Sequence, residues 1–252
     1  MSLVRFDFSE KNKSIEIIGK DFDINSLKLF LDLLYKVNKK NNLSSLKIIG
    51  NFDTKFLLNT FFFDKNNKTI NETLNLFQSI SIVMEESNIF YSSEINGLVQ
   101  GPALEISLLC NYIFANDDTI LKLDQTDYGI TPFFGTIQRL TRLIGYQEAL
   151  KALLIDKELT YNQGLKLDLF NNKIDNSNKI REKKTFWDQD FTNTFIFYNS
   201  KIHSKYKNQK PQYNAILSTI FESSVCHSDV GLSIEKRWLK WLLMHENFNH
   251  TT

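Results

Sequence analysis

Hydrophobic positions change their period twice in the first fifty residues. Val4, Phe6 and Phe8 alternate with Arg5 and Asp7, and Ile15 and Ile17 alternate with Ser14 and Glu16. With the turn-forming Glu10 to Lys13 between them, the two runs predict a β-hairpin. The spacing then lengthens to that of a helix. Leu27, Phe30, Leu31, Leu34 and Val37 share one face of residues 26–38, with Asp23 or Asn25 as the cap. Leu46 to Ile49 predicts a short buried strand, Gly50 to Lys55 a loop, and Phe56 to Leu58 an apolar patch. A second helix is expected from Asn71 to about Met84, with Leu74, Phe77 and Ile80 as its stripe. A strand follows at Ile89 to Tyr91.

From Glu94 to Asn111 the pattern is different. Asn96-Gly97 signals a turn, Gly101 sits where a helix cap would, and Pro102 sits where the first helical residue would. Leu104, Ile106, Leu108, Leu109 and Cys110 then make a short, mostly apolar helix. Strand, glycine loop and buried helix together present backbone N–H groups and a positive helix end to an anion or a developing oxyanion. Glu105, in the first turn, is the carboxylate best placed to act there. Strands are expected at Tyr112–Ala115 and around Ile120–Leu123. The loop Gly129–Gly135 feeds helices at Thr136–Ile144, Gln147–Ile155 and Tyr161–Leu169. Residues 171–210, rich in Asn and Lys, read as loop and exposed helix. Gln212–Ser223 and Ile234–Met244 read as closing helices, the last with Trp238, Trp241 and Leu242 on its apolar stripe. The order is βαβ-like first and helical later, which argues an α/β layered domain with a helical C-terminal part. No internal repeat is visible in the residues.

Composition narrows the function classes. Thirty Lys and Arg against 29 Asp and Glu leave a net charge of +1, so neither nucleic acid nor a membrane surface is indicated as partner. No apolar run approaches the roughly 18 residues of a membrane span. Asp7, Glu10 and Lys11 interrupt any secretory core, so the expectation is a cytoplasmic chain. Cys110 and Cys226 have no metal or redox spacing and read as buried free thiols. His203, His227, His245 and His250 lack ligand spacing, and neither a P-loop nor a dinucleotide GxGxxG occurs.

The stretch Ile95–Asn111 carries an "ING…G…LE…CN" pattern. Gly129-Ile-Thr-Pro-Phe-Phe-Gly-Thr-Ile-Gln-Arg-Leu-Thr-Arg-Leu-Ile-Gly145 is close to "GIIPGxGGTQRLxRLIG". With Ala149-Leu150 and Gly164–Phe170, these segments resemble the crotonase (enoyl-CoA hydratase/isomerase) superfamily. The C-terminal part, with Tyr213–Phe221 and Gly231–Glu235, is similar to the hydratase part of the multifunctional fatty-acid β-oxidation enzyme. The resemblance implies a crotonase-like spiral of ββα repeats over residues 1–190 and a helical trimerisation region over 191–252. It implies a homotrimer or a dimer of trimers, and an acyl-CoA thioester as small-molecule partner. No cofactor is implied beyond the coenzyme A of that substrate, and no metal.

Carried over residue by residue, the resemblance makes Glu105 the first catalytic glutamate, which activates water. Its plainer reading is a first-turn glutamate complementing the helix dipole. Gln125 stands where the second glutamate would protonate the α-carbon, and an amide cannot deliver that proton. Asp124 and Asp127 flank it and read as solvated loop carboxylates or as substitutes. Thr60 falls at the first oxyanion-donor position, with Asn59 before it and Phe61 in place of an aspartate. Gly101 and Pro102 fall at the second, where proline has no N–H to give. Ala103 N–H takes over only if the turn shifts. Phe133 and Phe134 fill positions where the family has small residues, which narrows the pocket. Three readings follow. One is an enoyl-CoA hydratase or isomerase with a degenerate site. Another is a catalytically inactive acyl-CoA-binding or structural subunit that partners an active paralogue. The last is a relative running isomerisation, decarboxylation or thioester hydrolysis with one carboxylate.

Overall fold

The computed structural model describes residues 2–40, 42–58, 67–171, 187–207 and 209–244. The expected hairpin forms, with β1 (Arg5–Ser9) antiparallel to β2 (Ser14–Ile18). A short β3 (Asp21–Phe22) leads to α1 (Ile24–Asn38), capped by Asp23, whose Oδ1 accepts from the Ser26 N–H at 2.7 Å. Leu27, Phe30, Leu34 and Val37 face inward as their spacing requires. The same succession recurs. β4 (Ser45–Gly50) and β5 (Lys55–Phe56) precede α2 (Asn67–Glu85), which starts four residues before the expected Asn71. β6 (Phe90–Ile95) and β7 (Leu98–Gln100) precede α3 (Gly101–Leu109). β8 (Tyr112–Ala115) and β9 (Ile120–Lys122) precede a 3₁₀ turn, Gln125–Tyr128.

Each repeat gives its long strand to one sheet, in the order β1-β2-β4-β6-β8, with every neighbouring pair from β2 to β8 parallel. The short strands lie in a second layer, β3 beside β5 and β7 beside β9. A long strand must therefore turn a sharp corner into its short one. Gly50 turns it after β4 at φ 107°, where a Cβ would meet the Ile17 carbonyl at 2.3 Å. This is the mixed α/β crotonase-like spiral that the resemblance implied, a ββα repeat of backbone that leaves no repeat in the residues.

Further along come α4 (Thr136–Ile144) and α5 (Tyr146–Lys151), the latter running into a π-helical stretch, Ala152–Asp156. The expected single helix Gln147–Ile155 is thus two kinds of turn. β10 (Glu158–Thr160) closes on β9, and α6 (Tyr161–Lys166) starts with a Thr160/Gln163 capping box. α7 (Phe191–Tyr206) lies in the stretch read as loop and exposed helix, and it buries Phe191, Tyr198 and Ile202. α8 (Pro211–Ser223) and α9 (Ser228–Met244) end the described chain. α9 starts before the expected Ile234; Leu242 is buried as expected, together with Leu232, Glu235, Leu239 and Leu243, whereas Trp241 is exposed. Cys110 is buried as expected, whereas Cys226 is only half-buried. Among the described residues no helix is long and apolar enough to cross a membrane.

Candidate active site

α3 lies at the centre, packed by α2, α4 and strands of both layers. All nine of its residues are buried, as a helix that is apolar all round requires. Its one ionisable side chain, Glu105, is fully inaccessible. Gln100 caps the helix one residue earlier than expected, without a side-chain bond. Gly101 adopts φ 63°, and a Cβ there would lie 2.3 Å from the Thr54 carbonyl oxygen, so the close approach of backbone to backbone demands glycine. Thr54 completes the cap from outside the helix. Its hydroxyl donates to the Gln100 carbonyl at 2.9 Å, and its Oγ1 accepts from the Ala103 N–H at 3.1 Å. The helix start therefore has one N–H missing, at Pro102, and the next already taken. The turn has not shifted to free Ala103.

Three donors converge on Glu105. Gln125 Nε2 reaches Oε1 at 3.1 Å, while the Phe133 N–H and the Thr136 hydroxyl reach Oε2 at 2.6 and 2.8 Å. The two positions expected at the heart of the site, Glu105 and Gln125, are thus in direct contact. Asp124 and Asp127 turn away, to Lys122 and Lys157. Thr60, with Asn59 and Phe61, lies outside the described residues. The three hydrogen bonds favour a charged carboxylate, but removal from water outweighs them, and the Glu105 carboxyl is pushed up to about 8. A group poised there exchanges protons near neutrality.

The loop before α4 forms the wall. Phe134 sits in the left-handed region at φ 49°, and its carbonyl accepts from Ser81 Oγ at 2.6 Å and from Arg139 at 3.0 Å. Phe133 stacks on Phe77 with ring centres 4.6 Å apart and meets Phe56 edge-on at 4.4 Å. Aromatic rings thus fill the space beside the carboxyl, in keeping with the narrowing expected from Phe133 and Phe134.

Two contributors were not read from the residues. Thr54 gave no signal, since a capping hydroxyl from another loop has no fixed spacing to the helix that it serves. Glu235 did give one, as a lone carboxyl at i+3 from Leu232 and i−4 from Leu239. It is 3% exposed, and its Oε2 accepts from the Gln138 N–H at 3.4 Å. Burial and the neighbouring Glu105 push its carboxyl well above the usual range.

The sequence profile described as enoyl-CoA hydratase/isomerase matches residues 64–242. A peroxisomal fatty acid beta-oxidation multifunctional protein of Arabidopsis thaliana is 31% identical over 138 residues, 52% of this chain and 19% of that protein. The fatty acid oxidation complex subunit alpha of Shewanella frigidimarina is 35% identical over 96 residues, 37% of this chain and 14% of that protein. The matched chain therefore spans less than a fifth of these relatives. Among solved structures, an enoyl-CoA hydratase from Bacillus halodurans superposes with a TM-score of 0.63 at 18% identity, covering 97% of this chain and 96% of its own. One from Mycobacterium avium subsp. paratuberculosis gives 0.60 at 13% identity, covering 97% and 92%.

Proposed function

The chain belongs to the enoyl-CoA hydratase/isomerase family, and on that premise we propose that it binds acyl-CoA thioesters and moves protons on them with one interior carboxyl, Glu105. The observation that carries this reading is the contact between Glu105 and Gln125. Hydration needs one group to take a proton from water and another to give one to the α-carbon. An amide at position 125 holds Glu105 by a hydrogen bond but gives no proton. A single carboxyl suffices for shifting one proton between carbons: Glu105 breaks a C–H bond, holds the proton as its own O–H, and returns it to the same or a neighbouring carbon.

The enolate formed on the way would lie against Gly101 and Pro102, with the Thr60 N–H as its other partner. Pro102 withholds one donor and Thr54 occupies the next. The loss of one oxyanion donor elsewhere is about 2.7–4 kcal/mol, so turnover slower by roughly 10²–10³ than with a complete hole is expected. The relatives' names support fatty-acid β-oxidation as the setting; the cytoplasm as compartment and a homotrimer or a dimer of trimers as assembly are proposed from the sequence alone. Sedimentation of the purified chain checks the assembly.

The deciding experiment offers crotonyl-CoA, a 3-enoyl-CoA, and butyryl-CoA in deuterium oxide. Isomerisation or α-deuteration that Glu105→Gln abolishes, with little hydration, is the expected result. Brisk hydration would overturn the single-carboxyl reading, as would proton exchange indifferent to Glu105→Gln. The full burial of Glu105 behind Phe133 favours a second reading, an inactive subunit that holds the thioester or only scaffolds a partner. Binding of butyryl-CoA with no exchange at all would select it.

A further inference from the structure

A proton taken by Glu105 has no direct way out, because the carboxyl is inaccessible and wrapped by three donors. The described interior holds one other glutamate, Glu235 on α9. The two meet the same first turn of α4, Glu105 at the Thr136 hydroxyl and Glu235 at the Gln138 N–H. Capping that turn accounts for only half of Glu235. The Gln138 N–H reaches it only at 3.4 Å, the Gly135 N–H also faces it, and its Oε1 is buried with no hydrogen bond of normal geometry. A carboxyl buried with a bare oxygen is unfavourable, and a helix cap of this quality does little to offset it.

Glu235 lines a cavity of about 30 Å³, together with Phe133, Phe134, Leu232 and, at the half-buried rim, Gln78 and Lys236. That volume admits about one or two waters. The same Phe133 whose N–H holds Glu105 therefore forms one wall of a water-sized chamber that is mostly apolar, with Glu235, Gln78 and Lys236 as the polar side chains a water could use. Lys236 Nζ bonds Gln78 Oε1 at 3.2 Å across the rim.

We propose that Glu235 is the second carboxyl of this site, a proton carrier that exchanges the Glu105 proton with water in this cavity. The proposal rests on the acyl-CoA reading above. Glu105 takes the α-proton of a bound thioester and becomes a neutral acid. Glu235, in its ionised form, takes that proton across the first turn of α4, which both glutamates meet, and releases it to cavity water. A solvent proton returns by the same path to Glu105 and then to the α-carbon, so no charge or electron is left over. The role falls to α9 because position 125 is an amide.

The test is α-deuterium incorporation into butyryl-CoA in deuterium oxide, with thermal unfolding and butyryl-CoA affinity measured alongside. Glu235→Gln keeps the size and the accepting oxygen and should lower exchange by about 100-fold or more, with affinity and melting temperature held. Glu235→Asp, which keeps a titratable carboxyl, should recover at least a tenth of the exchange. Exchange in Glu235→Gln within twofold of the unmodified protein would overturn the proposal. So would a loss of exchange that comes with equal loss of affinity or melting temperature, because it would mark a cap and nothing more. Failure of the underlying reading looks different: the unmodified protein itself would leave butyryl-CoA unexchanged.

Discussion

Replacing Glu105 by Gln should change how stability depends on pH more than it changes stability itself. In the unfolded chain this carboxyl titrates near 4.5, and in the fold it is pushed up to about 8. Between those values the folded protein keeps a proton that the unfolded chain has given up. Stability therefore falls as pH rises, from full strength below 4.5 to its lowest above 8. At about 1.4 kcal/mol per pH unit, the interval amounts to roughly 5 kcal/mol as an upper bound. The introduced amide mimics the neutral acid. Its oxygen can keep the Phe133 and Thr136 donors, and Gln125 can turn its own amide to accept from the new NH₂. The variant should match the unmodified protein at pH 5 and exceed its stability by a few kcal/mol at pH 9. Glu235 adds in the same direction, since loss of a neighbouring charge eases its own ionisation. Urea unfolding of both proteins at intervals from pH 5 to 9 reads the difference. Parallel curves across that range would refute the claim that desolvation dominates at Glu105.

Thr54→Val removes the acceptor of the buried Ala103 N–H and should cost about 1–3 kcal/mol, with Thr54→Ser close to unchanged; denaturant midpoints decide it. Gly101→Ala forces a Cβ against the Thr54 carbonyl in a left-handed backbone and should cost more than about 1 kcal/mol, seen as a lowered melting temperature. Phe133→Ala empties a slot between Phe56 and Phe77 and should cost about 3–5 kcal/mol in the same assay, unless the neighbouring rings collapse into the space.

The elements that a period of 2 or 3.6 can announce were legible in the residues. The hairpin, α1 and α4 stand where their apolar spacing puts them. Spacing announces a strand of two or three residues poorly: β9 is expected from its apolar residues, whereas β3, β5, β7 and β10 give no such signal. On α9 only Leu242 of the expected stripe is buried, joined by Leu239 and Leu243, whereas Trp241 is exposed and the half-buried Trp238 donates its Nε1–H to Glu222. In the site, Glu105 and Gln125 were foreseen through a resemblance, and their contact is a matter of folding that no spacing states. The seal around Glu105 comes from a backbone N–H and a threonine hydroxyl, groups too common in any sequence to draw notice.

The way Thr54 serves α3 also bears on what this site could become. A thioester oxygen would need a free N–H at the helix start, which calls for a glycine in place of Pro102 or the release of Ala103. Glycine at 102 gives up a residue well suited to begin a helix. Loss of Thr54 strands a buried donor. Either step supplies a donor and lowers stability at the same time, so the present arrangement is the locally favoured one for the fold. The Ala103 N–H is likewise satisfied without a ligand. Sulfate or phosphate, which commonly settles on free helix ends, finds neither the Pro102 position nor the Ala103 N–H open at α3 while Thr54 holds its place.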